Sequence, residues 1–129
     1  MERRRNLEEA QALMPLLRSV ALEIRDRRIR IALLRAERRE IVQVAARQSP
    51  EGFTRVLQDL DLEIETQDRA IESCIRELRG IGLRVPSIQP LIIHIPGTSE
   101  GRRVTFCWEE GVHALEDEET PSSPQRAAS

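Results

Sequence analysis

Ala45-Ala46-Arg47-Gln48-Ser49-Pro50-Glu51-Gly52-Phe53 is the stretch on which the fold turns. A long apolar-periodic segment runs out at Arg47, and Ser49-Pro50-Glu51 reads as an N-cap, a proline at the first helical position and an acid in the first turn. Only a residue or two is left to join two helices. A connection that short forces them antiparallel.

Upstream of the joint, Ala10, Leu13, Leu17, Val20, Ile24, Ile31, Leu34, Ile41 and Ala45 recur at alternating steps of three and four, with Arg27 and Arg38 filling the gaps. This 3.5-residue period predicts a helix over residues 6–47 with a coiled-coil-like seam. Asn6 and Glu9 have the form of a capping box at its start. Pro15 lies inside it and removes a backbone donor, so a kink is expected near Ala12. Downstream, Phe53, Leu57, Leu60, Ile64, Gln67, Ile71, Cys74 and Leu78 keep the same period, predicting a second helix over 50–79 that ends at Gly80.

At about 1.5 Å per residue the first helix is roughly 60 Å long and the second roughly 45 Å, so one end of the first needs cover. A turn at Ser49 places Arg35 near Asp61, Arg28 near Asp68, and Arg38 among Asp59, Asp61 and Glu63. On the other flank Glu37 meets Glu63 and Glu23 meets Glu77. The apolar seam must therefore supply the stability, and the charges mainly the orientation.

Leu22, Ile29, Leu33 and Ala36 form a second stripe on the first helix, away from the seam. One partner helix cannot bury both sides, so a homodimer through this stripe, closing a four-helix bundle, is expected.

Beyond Gly82 the period changes. Residues 88–95 and 102–108 are β-branched and aromatic and flank Pro96-Gly97-Thr98-Ser99-Glu100-Gly101, which predicts a β-hairpin over 88–108. Pro90 marks an edge or a strand start. A lone hairpin is marginal in water, so it should pack on the overhanging end of the first helix. From Glu116 the chain is acidic and then rich in Pro and Ser, the composition of a disordered tail, assigned to 114–129. The fold class that follows is mainly α: a long antiparallel helical hairpin with a small C-terminal β-hairpin, residues 1–113 forming one domain.

Charge is segregated along the chain. All twenty cations are Arg, and the net charge is −2, yet residues 1–47 carry +5, 50–79 carry −4, 80–108 carry +2 and 109–129 carry −5. Adjacent segments of opposite sign suit partners within one molecule. Phe53, Phe106 and Trp108 are the only aromatic residues, so aliphatic side chains must carry the burial. No run is long enough to span a bilayer, and Cys74 and Cys107 are too few for a disulfide framework, which points to a reducing, cytoplasmic setting.

Three segments together resemble an uncharacterised prokaryotic family, the domain of unknown function 2203. They are Leu7-Glu8-Glu9-Ala10-Gln11-Ala12-Leu13-Met14-Pro15-Leu16-Leu17, Ile81-Gly82-Leu83-Arg84-Val85, and Gly101-Arg102-Arg103-Val104-Thr105-Phe106-Cys107-Trp108, the last similar to the family's Gly-Arg-x-Val-x-x-Cys-Trp strand. The resemblance spans most of residues 6–113 and implies no activity, since the family has none assigned. Where the family carries an Asp between apolar residues before a proline, this chain has His94. The family's segment beyond Cys-Trp is shortened here to Glu110-Gly111-Val112-His113.

The residues with soft-metal ligand character are His94, Cys107 and His113, with Cys74 as a possible fourth. They lack CxxC or HxxxH spacing, and a one-residue change of register decides whether His94 and Cys107 share a face of the hairpin. The bland alternative makes both cysteines small buried residues and His94 a half-exposed strand residue. No oxyanion-hole motif, phosphate loop or carboxylate pair accompanies them, so no catalytic residue and no cofactor is assigned. Arg25, Arg27, Arg28, Arg30, Arg35, Arg38 and Arg39 form a strip that could bind phosphates. Asp59, Asp61 and Asp68 are placed to neutralise it, and no stacking aromatics are interleaved, which argues against nucleic acid. The functional expectation is a non-enzymatic protein-interaction or scaffold module that self-associates and recruits a further, unknown protein, with no membrane partner. A metal-binding protein using His94, Cys107 and His113, and an Arg-rich nucleic-acid binder, are the alternatives.

Overall fold

The computed structural model of the chain describes residues 4–111 and 116–119. Helices α1 (Leu7–Ala12), α2 (Met14–Arg47) and α3 (Thr54–Gly80), the last entered through a 3-10 turn over Pro50–Phe53, precede strands β1 (Arg84–Ile88), β2 (Leu91–Ser99), β3 (Arg102–Glu109) and β4 (Glu116–Glu119). The chain divides into two compact units, one of Met1–Ala21 with Ile75–Ser129, the other Leu22–Cys74.

Leu22–Cys74 is the helical hairpin. Its α2 and α3 portions run antiparallel, as Arg30 to Glu63 at 2.8 Å and Arg38 to Asp61 at 2.6 Å require, because the partner's number falls as the helix-one number rises. Ile24, Ile31, Leu34, Ala45, Leu60, Ile71 and Cys74 are buried along the seam, all at the spacing the period marked out. Ser49 occupies the N-cap of the 3-10 turn with Pro50 behind it, but its side chain makes no capping hydrogen bond. Its Oγ donates to Glu51 instead, at 3.4 Å. Arg38 bonds Asp61, one of the three acids expected around it, while Glu63 accepts two bonds from Arg30, a pairing the sequence reading did not name.

The other unit holds the chain's start and the sheet. The Asn6 capping box is present: Glu9 N donates to Asn6 Oδ1 at 2.8 Å, and Asn6 N donates to Glu9 Oε1 at 3.0 Å. The helix breaks at Leu13, one residue after the expected kink, where the amide of Leu13 bonds back to Ala10 and Gln11. Pro15 explains the break, since it cannot donate to the carbonyl of Gln11.

The sheet is antiparallel with order β1-β2-β3-β4. The expected hairpin is its centre: β2 and β3 pair from Ile92 opposite Glu109 to Ser99 opposite Arg102. Its turn carries Glu100 and Gly101 at positive φ. Two further strands flank it. Ile88, read from sequence as the start of the first hairpin strand, closes β1, and the chain turns at Gln89-Pro90 before β2 begins at Leu91. Glu116–Glu119, read as part of a disordered tail, pairs along Val104–Cys107. The rest of 114–129, with His113, lies outside the described residues.

Alternation sorts the two faces. Leu91, Ile93, Ile95, Phe106 and Trp108 are buried, and with Ala10, Leu17, Leu78 and Leu83 they form this unit's core. Helix α1 lies on β2, which gives the overhanging end of the first helix the cover it was expected to need. Arg5 continues the sheet beside the unpaired half of β2. Its N donates to Pro96 O at 3.0 Å, and Thr98 N donates to its O at 2.9 Å.

Candidate functional site

The opposite face of the sheet carries the residues singled out for chemistry. His94 is the direct cross-strand partner of Cys107, so the register left open by sequence places imidazole and thiol on the same face. Both are half-buried. Arg84 stands opposite His94 on β1, and Glu116 opposite Cys107 on β4, so one row across the sheet reads Arg84, His94, Cys107, Glu116. Among the described residues no group of three or more His, Cys, Asp or Glu could hold a metal ion.

Cys74 belongs to a different setting. In the helical hairpin its Sγ donates to Glu23 Oε2 at 3.1 Å, and the same carboxylate oxygen accepts from Arg27 Nε at 3.1 Å. Arg27 Nη1 reaches across to Gln67 Oε1 at 3.0 Å. The two polar seam positions, Arg27 and Gln67, therefore answer each other, and Glu23, Asp26 and Arg30 complete the lining of a shallow open hollow there. The Cys74 thiol, and next the Arg27 guanidinium, hold the Glu23 carboxyl below its ordinary value. Asp61 raises Arg38 above its ordinary value by hydrogen bonding and charge.

These bonds engage three arginines of the basic strip. Arg27, Arg30 and Arg38 are engaged with Glu23, Glu63 and Asp61. Arg69 likewise pairs with Glu65 on its own helix.

The outer stripe behaves differently. Leu22, Ile29 and Leu33 are 58%, 49% and 59% exposed, with Ala36 half-buried beside them. Neither helix of the hairpin covers them.

Arg4 and Arg5 were not singled out by sequence. Arg4 Nη1 donates to Gly97 O at 3.1 Å and Val104 O at 3.3 Å, and Arg5 Nη2 to Ile81 O at 2.9 Å. Arg5 Nη1 and Trp108 Nε1 are buried without a partner among the described residues. A basic Arg-Arg-Arg start looks like solvated charge, so only the placement of Arg5 against β2 reveals its role.

A model of the DUF2203 family, described as an uncharacterized conserved protein, matches residues 5–118. The chain belongs to this family. The DUF2203 match takes in Arg5, the whole helical hairpin, strands β1 to β3 and most of β4, while Arg4 lies just before it. No curated protein and no solved structure matches the chain.

Proposed function

We propose that this DUF2203 protein is a non-enzymatic, cytoplasmic interaction module that self-associates through the outer face of α2. The observation that carries the reading is the exposure of Leu22, Ile29 and Leu33 in the folded chain. Each large aliphatic side chain gains about 1.5 to 3 kcal/mol on full burial, so three on one face are a substantial driving force for association. Leu22, Ile29 and Ala36 are spaced by seven residues, with Leu33 between, which is the spacing of a helix-pairing stripe. A stripe of this kind is complemented by another like it, and a second copy of the chain supplies one in the same register.

Among the described residues no helix is long and apolar enough to cross a membrane, and the two cysteines are not joined in a disulfide, in keeping with a reducing compartment. Further protein partners would dock on the resulting bundle. Sedimentation equilibrium at tens of micromolar tests the reading: a mass of twice the 14.8 kDa chain or more supports it, and a monomer at every concentration ends it.

A further inference from the structure

We infer that Cys107 is a nucleophilic thiol activated by His94, and a site of covalent modification by peroxides and soft electrophiles. As direct partners on β2 and β3, the two side chains leave the sheet on the same face. Cβ atoms of such a pair are about 4.5 to 5.5 Å apart, which brings thiol and imidazole within hydrogen-bonding reach. Arg84 backs His94 on the far side of β2. Glu109 lies two residues along β3, and the backbone of β4 pairs Glu116 with Cys107. A carboxylate is too weak a base to take a thiol proton near neutrality, whereas an imidazole is not. The imidazolium left behind, with Arg84 beyond it, favours the thiolate, which is the reactive form. Cys107 is only half-buried, unlike Cys74.

The second cysteine is the internal contrast. Cys74 is buried, and its proton is held against the carboxylate of Glu23. An anion at that position repels a thiolate, so the chain carries one activated thiol and one suppressed.

The peroxide reaction is balanced by groups in the row. The Cys107 thiolate attacks one peroxide oxygen, the S–O bond forms and the O–O bond breaks. The departing hydroxide takes the proton held by His94 and leaves as water. Sulfur is oxidised by two electrons to the sulfenic acid and the peroxide is reduced. An alkylating agent forms an S–C bond instead, expelling its halide.

The test uses the full chain at pH 7, with iodoacetamide in one arm and hydrogen peroxide plus dimedone as a sulfenic-acid trap in the other. Modification of each cysteine is followed by peptide mass spectrometry. Cys107 is expected to react at least about tenfold faster than both Cys74 and a free cysteine peptide. Burial alone could slow Cys74, so the comparison with the free peptide is the decisive one, and it requires no variant to fold. Cys107 reacting at or below the free-peptide rate overturns the inference. His94→Gln, checked for an unchanged circular dichroism spectrum, should slow Cys107 several-fold. An unchanged rate in that variant removes His94 from the mechanism and overturns the inference equally.

Discussion

The ring of Phe106 fills the space that a side chain on Gly97 would need. A Cβ at position 97 would stand 2.6 Å from Phe106 Cδ2 and 2.8 Å from the carbonyl oxygen of Arg5. Glycine is needed here for space: the aromatic ring covers the gap on the core face while Arg5 closes the strand edge. Gly97→Ala should therefore destabilise the chain by about 1 to 3 kcal/mol, the usual cost of forcing atoms into a packed site. Urea denaturation measures it. A stability equal to the wild type would mean that the ring and the Arg5 strand can withdraw freely.

The outer stripe of α2 gives the second prediction. Leu22→Glu combined with Leu33→Glu places charge where the copies are proposed to meet, on residues already exposed within a single chain. The expected outcome is loss of the dimer with helical content retained. A doubly substituted chain that sediments as the wild type does would remove this face from the interface.

The third prediction concerns acid. The carboxyl of Glu23 is held below its ordinary value of 4.5 by Cys74 and then Arg27. A carboxylate depressed in the folded state contributes stability that is fully present above its unfolded value and disappears as pH falls through the folded one. The stability difference between the wild type and Glu23→Gln should thus be constant from neutrality down to about pH 5 and shrink below it. Added salt should reduce it, because Glu23 is exposed. A difference that does not change with pH would show that the Cys74 and Arg27 bonds are not made in solution.

The fourth tests the start of the chain. Asn6 caps α1 through Glu9, and α1 lies over β2. Asn6→Ala should cost about 1 kcal/mol, read from the shift in the urea midpoint, and Asn6→Ser should recover most of it. Equal losses in both variants would assign the effect to the Asn6 backbone position and not to its side-chain oxygen.

Much of the hairpin was legible beforehand for a local reason. Leu34, Leu60 and Ile71 are buried because they recur at the helix period, and the break at Leu13 follows from a donor that Pro15 lacks. Ser49-Pro50 marks the joint because two residues leave no other path. The limits of β1 were harder to see. Pro86 and Ser87 are poor strand formers, and only pairing with β2 and the turn at Gln89-Pro90 make Arg84–Ile88 a strand. Glu116–Glu119 has the composition of a solvated tail, yet it finds backbone partners along β3.

What the sequence by itself determined is the pair of long helices with their apolar seam and the central β-hairpin, since helix and strand periods are properties of neighbouring residues. Only the tertiary structure decided several of the pairings: Arg30 against Glu63, Glu23 against Cys74, Arg5 beside Gly97, and His94 across from Cys107. A shift of one residue along β3 would have kept every local preference and turned Cys107 to the other face. That choice is made by the summed burial of Ile93, Ile95, Phe106 and Trp108 on a single side of the sheet, a cooperative quantity that no short stretch of chain contains.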